Sequence, residues 1–127
     1  MSDELIRKRL LDVFDSLQIV LERFEEVKSP EDFLKNKEGL KNLDSISMRL
    51  QAIGEAIKKI SKDAPSILSQ YQEIDWKGVI NFRDKISHHY FDIDSEEIFK
   101  ICKNEIPLLK GIINNIISNL ETHGNNF

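Results

Sequence analysis

The sequence predicts an all-α fold, an up-and-down bundle of four to five helices in one domain spanning residues 1–127. Apolar residues recur at steps of three and four along most of the chain, the mark of helices with one buried face. Only 5 glycines and 3 prolines interrupt 127 residues, too few turn formers for a sandwich or barrel of short strands. No stretch alternates with the two-residue period of a strand. Hydrophobic residues make up 40% and charged residues 31%, an ordinary soluble balance in a chain long enough to bury a core without staples.

The first helix rests on Ile6, Leu10, Val13, Leu17, Val20, Phe24 and Val27. This seam also fits a dimeric coiled coil, but Leu11, Phe14 and Leu21 widen it into a face suited to a bundle core. Ser29-Pro30-Glu31-Asp32 reads as a helix start, with Ser29 as cap and Pro30 at the first helical position. A long helix over about 37–62 follows from Leu43, Ile46, Leu50, Ile53, Ile57 and Ile60. Gly54 inside it, flanked by Ala52 and Ala56, implies a second helix in close approach, since glycine there costs about 1 kcal/mol of helix propensity.

Asp63-Ala64-Pro65 ends that helix, and a short amphipathic turn at Ile67 to Tyr71 leads on. Asp75 is the expected cap of a third helix with Trp76, Val79, Ile80, Phe82 and Ile86 on its apolar face. Helical propensity weakens at Ser87-His88-His89-Tyr90-Phe91. Asp94 and Glu97 are spaced to cap a last helix carrying Ile98, Cys102, Ile106, Leu109, Ile113, Ile116 and Leu120. Pro107 should kink it, because it removes an amide donor and crowds the preceding turn. Gly124 closes it.

The single cysteine, Cys102, excludes an internal disulfide and a multi-cysteine zinc site. It falls on an apolar seam and reads as a core thiol. The charged start lacks the apolar core of a signal peptide, and no run of about 18 apolar residues could span a membrane. A soluble, cytoplasmic protein is expected. The net charge of −4 argues against a protein that coats nucleic acid through a generally basic surface. Yet 76–91 holds Lys77, Arg83 and Lys85 against Asp84 alone. Such a patch could engage a few phosphates, and it equally fits ordinary surface scatter.

One dense cluster carries chemistry: Arg83-Asp84-Lys85-Ile86-Ser87-His88-His89-Tyr90. Histidine is the usual proton carrier near neutral pH, and arginine forks onto phosphate oxygens without losing its charge. Together they suit phosphodiester cleavage, the imidazole moving the proton of a ribose 2′-hydroxyl and the guanidinium holding charge on the phosphate. No metal or cofactor is required. In an unbroken helix Arg83 and His88 would lie about 140° apart, at about 100° per residue. They converge only if the helix ends near Ser87, or if a second copy completes the site. An inert surface arginine beside two surface histidines is the competing reading. His123 stands alone beside Gly124 and reads as a helix-end residue.

The pattern Arg83, four residues, His88, one residue, Tyr90 resembles the R-x4-H-x-Y signature of the HepT-like toxins of the HEPN superfamily. Ile53-Gly54-Glu55-Ala56, Trp76, Phe91-Asp92-Ile93-Asp94 and Ile106-Pro107-Leu108-Leu109 also resemble family blocks, in the family's order. The resemblance covers nearly the whole chain. It implies a dimeric HEPN bundle in which the signature elements of both copies line one cleft. It further implies metal-independent cleavage of RNA by a toxin whose partner is a minimal nucleotidyltransferase antitoxin.

On that footing Arg83 and His88 are the catalytic pair. Lys85, His89 and Tyr90 position RNA, and Tyr90 accepts AMP from the antitoxin. His89 departs from the family, where a small residue such as glycine is frequent. It either adds a second imidazole or is merely tolerated. The rivals are a non-catalytic HEPN scaffold that binds a nucleotidyltransferase and a plain helical adaptor.

Overall fold

The computed structural model describes residues 3–89 and 92–124, with the backbone alone at 88, 89 and 122–124. Helix α1 spans Asp3–Phe24 and buries Ile6, Leu10, Val13, Leu17 and Val20. The helix stops short of the predicted seam's last member. Val27 lies beyond its end but still packs into the core, its N–H bonded to the Phe24 carbonyl at 2.9 Å. A 3-10 turn follows at Pro30–Phe33, with Pro30 in its first turn as expected. Ser29 makes no side-chain cap there. Instead Asp32 reaches back and accepts from the Lys28 N–H at 2.8 Å.

Helix α2, Lys37–Asp63, is the longest element. The Asn36 side chain caps it by accepting from the Gly39 N–H at 2.8 Å, the role preferred for asparagine. Leu43, Ile46, Leu50, Ile53, Ile57 and Ile60 are all buried, as their spacing predicts. Helix α1 packs along α2, and their cross-links run in opposite senses: Ser16 accepts from Arg49, and Ser45 from Arg23. The two helices are therefore antiparallel.

Short helix α3, Pro65–Ser69, leads to α4, Trp76–Ile80, and α5, Phe82–Ile86. These last two replace the single third helix expected from sequence, with the break at Asn81. The Asn81 N–H bonds both the Lys77 and Val79 carbonyls, and its own carbonyl takes Asp84 N–H and Lys85 N–H at 3.0 and 3.2 Å. One residue thus ends one helix and starts the next.

The chain then forms a strand pair the sequence did not predict: β1, Ser87–His89, antiparallel to β2, Asp92–Ile93. Helix α6, Ser95–Lys100, is capped by Asp94, whose carboxylate accepts from the Glu97 N–H at 3.0 Å. A π-helical turn, Ile101–Glu105, joins it to α7, Ile106–Gly124. The disturbance expected from Pro107 takes this form, a wide turn just before the proline. Helix α7 runs antiparallel to α1. Arg7 meets Glu121 at 2.7 Å, Lys110 sits over the Phe14 ring at 5.6 Å, and Phe24 stacks edge-on with Phe99 at 5.2 Å.

The architecture is all-α, a HEPN-type bundle around one core that every main helix enters. Cys102 belongs to that core at 1% exposure, and burial pushes its thiol pKa up to about 12. No helix among the described residues is long and apolar enough to cross a membrane.

Candidate active site

The signature segment is positioned by contacts at three levels. At its base, Gly54 of α2 meets the end of α4. A Cβ added at Gly54 would lie 2.9 Å from the Val79 carbonyl oxygen and 3.1 Å from that of Ile80. The close approach inferred from Gly54 is therefore real, and the neighbour is backbone. At the start of α4, Asp75 accepts from the Gly78 N–H at 3.0 Å, fixing the first turn. The half-buried Trp76 donates its ring N–H to the Tyr71 carbonyl at 2.9 Å.

Beyond these supports, α5 carries Arg83 into solvent. Its side chain is exposed and makes no hydrogen bond or ion pair among the described residues. Lys85, two residues on, lies about 200° around the helix axis and behaves differently. It is half-buried, its ammonium 5.9 Å from the Phe82 ring centroid. It also presses on Gly78, where an added Cβ would fall 2.9 Å from Nζ and 2.5 Å from an Asp75 carboxylate oxygen. The two cations, adjacent in sequence, therefore occupy different environments. Lys85 covers a glycine notch beside Asp75, while Arg83 is exposed and without a side-chain partner among the described residues.

Helix α5 ends at Ile86. Ser87 is extended, with φ −144° and ψ 118°, and its N–H closes the helix on the Arg83 carbonyl. The condition for bringing Arg83 and His88 together, a helix end near Ser87, is met by the backbone. The strand pair adds a further feature. Ser87 pairs with Ile93 and His89 with Asp92, so His88 is the extra residue on β1. That is a bulge, a device that bends a strand and re-aims a side chain, often beside active sites. The Asp94 N–H bonds the Ile86 carbonyl at 2.8 Å, locking the start of α6 onto the end of α5. The side chains of His88, His89 and His123, and all of Tyr90, lie outside the described residues.

Two site features escaped sequence reading: the Gly78 notch and the bulge at His88. A second small residue in the signature helix was the only trace of the first. The second has none, because strands of two and three residues are too short to show a period. No group of His, Cys, Asp and Glu suited to hold a metal ion occurs among the described residues.

The family model "Ribonuclease HepT-like" matches residues 15–116, from the middle of α1 into α7 and across the whole signature segment. The chain belongs to the HepT-like ribonuclease family. Its relatives include a Methanocaldococcus jannaschii protein named "Putative RNase MJ0127". The HepT-like chain is 31% identical to it over 95% of its own length and 94% of the relative's. It is 34% identical to "Probable ribonuclease HepT" of Thermococcus cleftensis, over 80% of this chain and 86% of that one. No solved structure shows a significant match to the HepT-like chain.

Proposed function

We propose that this HepT-like chain is the toxin of a toxin–antitoxin pair, an endoribonuclease that cuts RNA without a metal ion in a cleft shared by two copies of the chain. The observation that carries the reading is the helix end at Ile86. It releases His88 from the helical face and leaves Arg83, exposed and unpaired among the described residues, at the start of the same short helix. His88 takes the proton from a ribose 2′-hydroxyl, and the oxygen attacks the adjacent phosphorus. The 5′-oxygen leaves with the proton that His88 gives back as general acid, yielding a 2′,3′-cyclic phosphate and a 5′-hydroxyl end. Arg83 forks onto the non-bridging oxygens, where charge gathers in the transition state. His89 and Tyr90 position the RNA, and Lys85 contributes positive charge.

Neutralisation follows from the same site. A nucleotidyltransferase antitoxin transfers AMP to the Tyr90 hydroxyl. The phenolic oxygen bonds the α-phosphorus of a nucleoside triphosphate, and pyrophosphate leaves. The adduct places a phosphate and a nucleoside where RNA would enter.

The test is cleavage of RNA and of its all-deoxy counterpart by chelator-treated protein. Replacing His88 or Arg83 by Ala should lower the rate by about 10²–10⁴-fold with helical content and dimer mass unchanged. Cleavage of the deoxy strand, or full activity in His88→Ala, overturns the mechanism. RNA cleavage absent from the wild type, with antitoxin binding retained, makes the chain a scaffold instead. Co-expression with the nucleotidyltransferase should add the mass of AMP to wild type and not to Tyr90→Phe. Neutralisation without that mass refutes the modification step.

A further inference from the structure

The outer face of α1 and α2 carries cations that the signature site does not use. Arg23 donates to the Ser45 hydroxyl, and Arg49 to that of Ser16 at 3.4 Å. Both guanidinium groups therefore bridge the helices through neutral oxygens, and neither forms an ion pair among the described residues. On α1, Asp12 is paired with Lys8 at 3.2 Å. Beside Ser45 the face opens into a shallow groove of about 410 Å³ lined by Lys37, Leu40, Lys41, Asp44, Ser45 and Met48. Met48 is 72% exposed and Leu40 44%, both large for apolar side chains in water. The Lys37 and Lys41 side chains form no hydrogen bond or ion pair among the described residues.

We propose that this face is a second RNA-binding surface, an exosite for single-stranded RNA that holds the strand away from the cutting site. The inference rests on the ribonuclease reading. Arg23, Arg49, Lys37 and Lys41 have no carboxylate partner among the described residues, and the two groove lysines outnumber its one acid, Asp44, so the face complements a phosphate backbone. The exposed Leu40 and Met48 offer an apolar floor to bases that a single strand leaves unstacked. The face is separate from the signature site. Ser45 and Gly54 lie on opposite sides of α2 by its helical period, and Gly54 is the residue that touches α4. The exosite would let a HepT-like chain of net negative charge hold a long RNA while one small site cuts it.

The experiment measures binding of a labelled single-stranded oligoribonucleotide against salt, in a His88→Ala background that leaves the RNA intact. Two variants are used: Arg23→Gln/Arg49→Gln, and Lys37→Gln/Lys41→Gln, which removes no contact that holds the fold. Each lost phosphate contact lowers the salt slope of a single strand by about 0.7, so each pair should flatten it by about 1.4 at most and weaken binding at low salt. With His88 restored, both variants should cleave a dinucleoside monophosphate at the wild-type rate and a long RNA more slowly. Unchanged slopes in the lysine pair overturn the proposal, including where that pair loses a protein partner instead. Failure of the wild type to cleave even the dinucleotide would strike the ribonuclease reading, not the surface.

Discussion

Replacing Gly54 by Ala sets two opposed effects against each other at the point where α2 supports the signature segment. Alanine favours the helix by about 1 kcal/mol over glycine. Its methyl group would meet the Val79 carbonyl oxygen at 2.9 Å and the Ile80 carbonyl oxygen at 3.1 Å, inside ordinary carbon–oxygen contact. Both obstacles are backbone at the end of α4, so no side chain can swing aside. The helix itself must retreat. Overpacking of this kind costs about 1–3 kcal/mol, leaving a net loss of about 0–2 kcal/mol. Gly111 is the internal control. It sits exposed in α7 with nothing within 4 Å of an added Cβ, so Gly111→Ala should stabilise by about 0.8–1 kcal/mol. Urea unfolding followed by far-UV circular dichroism measures both. The two variants should differ by about 1–3 kcal/mol with opposite or unequal sign. If Gly54→Ala proves as stabilising as Gly111→Ala, the close approach of α2 to α4 is wrong, and with it the account of how the signature segment is held.

Three further outcomes follow from single contacts. The Cys102 thiol, raised from 9.0 to about 12 by burial, keeps its proton in the folded chain at a pH where the unfolded chain has lost it. Stability should therefore fall as pH rises above about 9, at up to about 1.4 kcal/mol per unit, and Cys102→Ala should remove that component of the slope. Asp94→Ala should cost about 1 kcal/mol through the lost cap on α6, read as a lower urea midpoint. Arg7→Ala breaks an ion pair whose side chains are 47% and 44% exposed, so the midpoint should move by less than about 1 kcal/mol.

Much of the bundle was legible because burial repeats. Leu43 through Ile60 mark α2 by spacing alone, and Asp75 and Asp94 announce their helices by chemistry that needs only the next turn. What could not be read depended on partners distant in sequence or on very short runs. Asn81 breaks the third helix although the apolar residues on either side keep helical spacing. The Asp94-to-Ile86 bond that anchors β2 joins two backbone groups, and backbone groups leave no signature in residue types. Arg83 and His88 were singled out by residue type and by the family resemblance. That Lys85 turns back onto Gly78 while Arg83 faces solvent needed coordinates.

The π turn at Ile101–Glu105 has a mechanical consequence. The apolar residues that run across it, Ile98 of α6, Cys102 of the turn and Ile106 of α7, are spaced by four and four, a step that drifts off one face of an ordinary α-helix but stays in line where the winding is wider. The turn thus resets the phase between α6 and α7. Helix α6 is tethered to the signature segment through Asp94, and α7 is clamped to α1 through Arg7 and Phe14. A small rotation of α6 can be taken up in the wider turn between them, so the signature segment can shift without twisting the frame that holds the core.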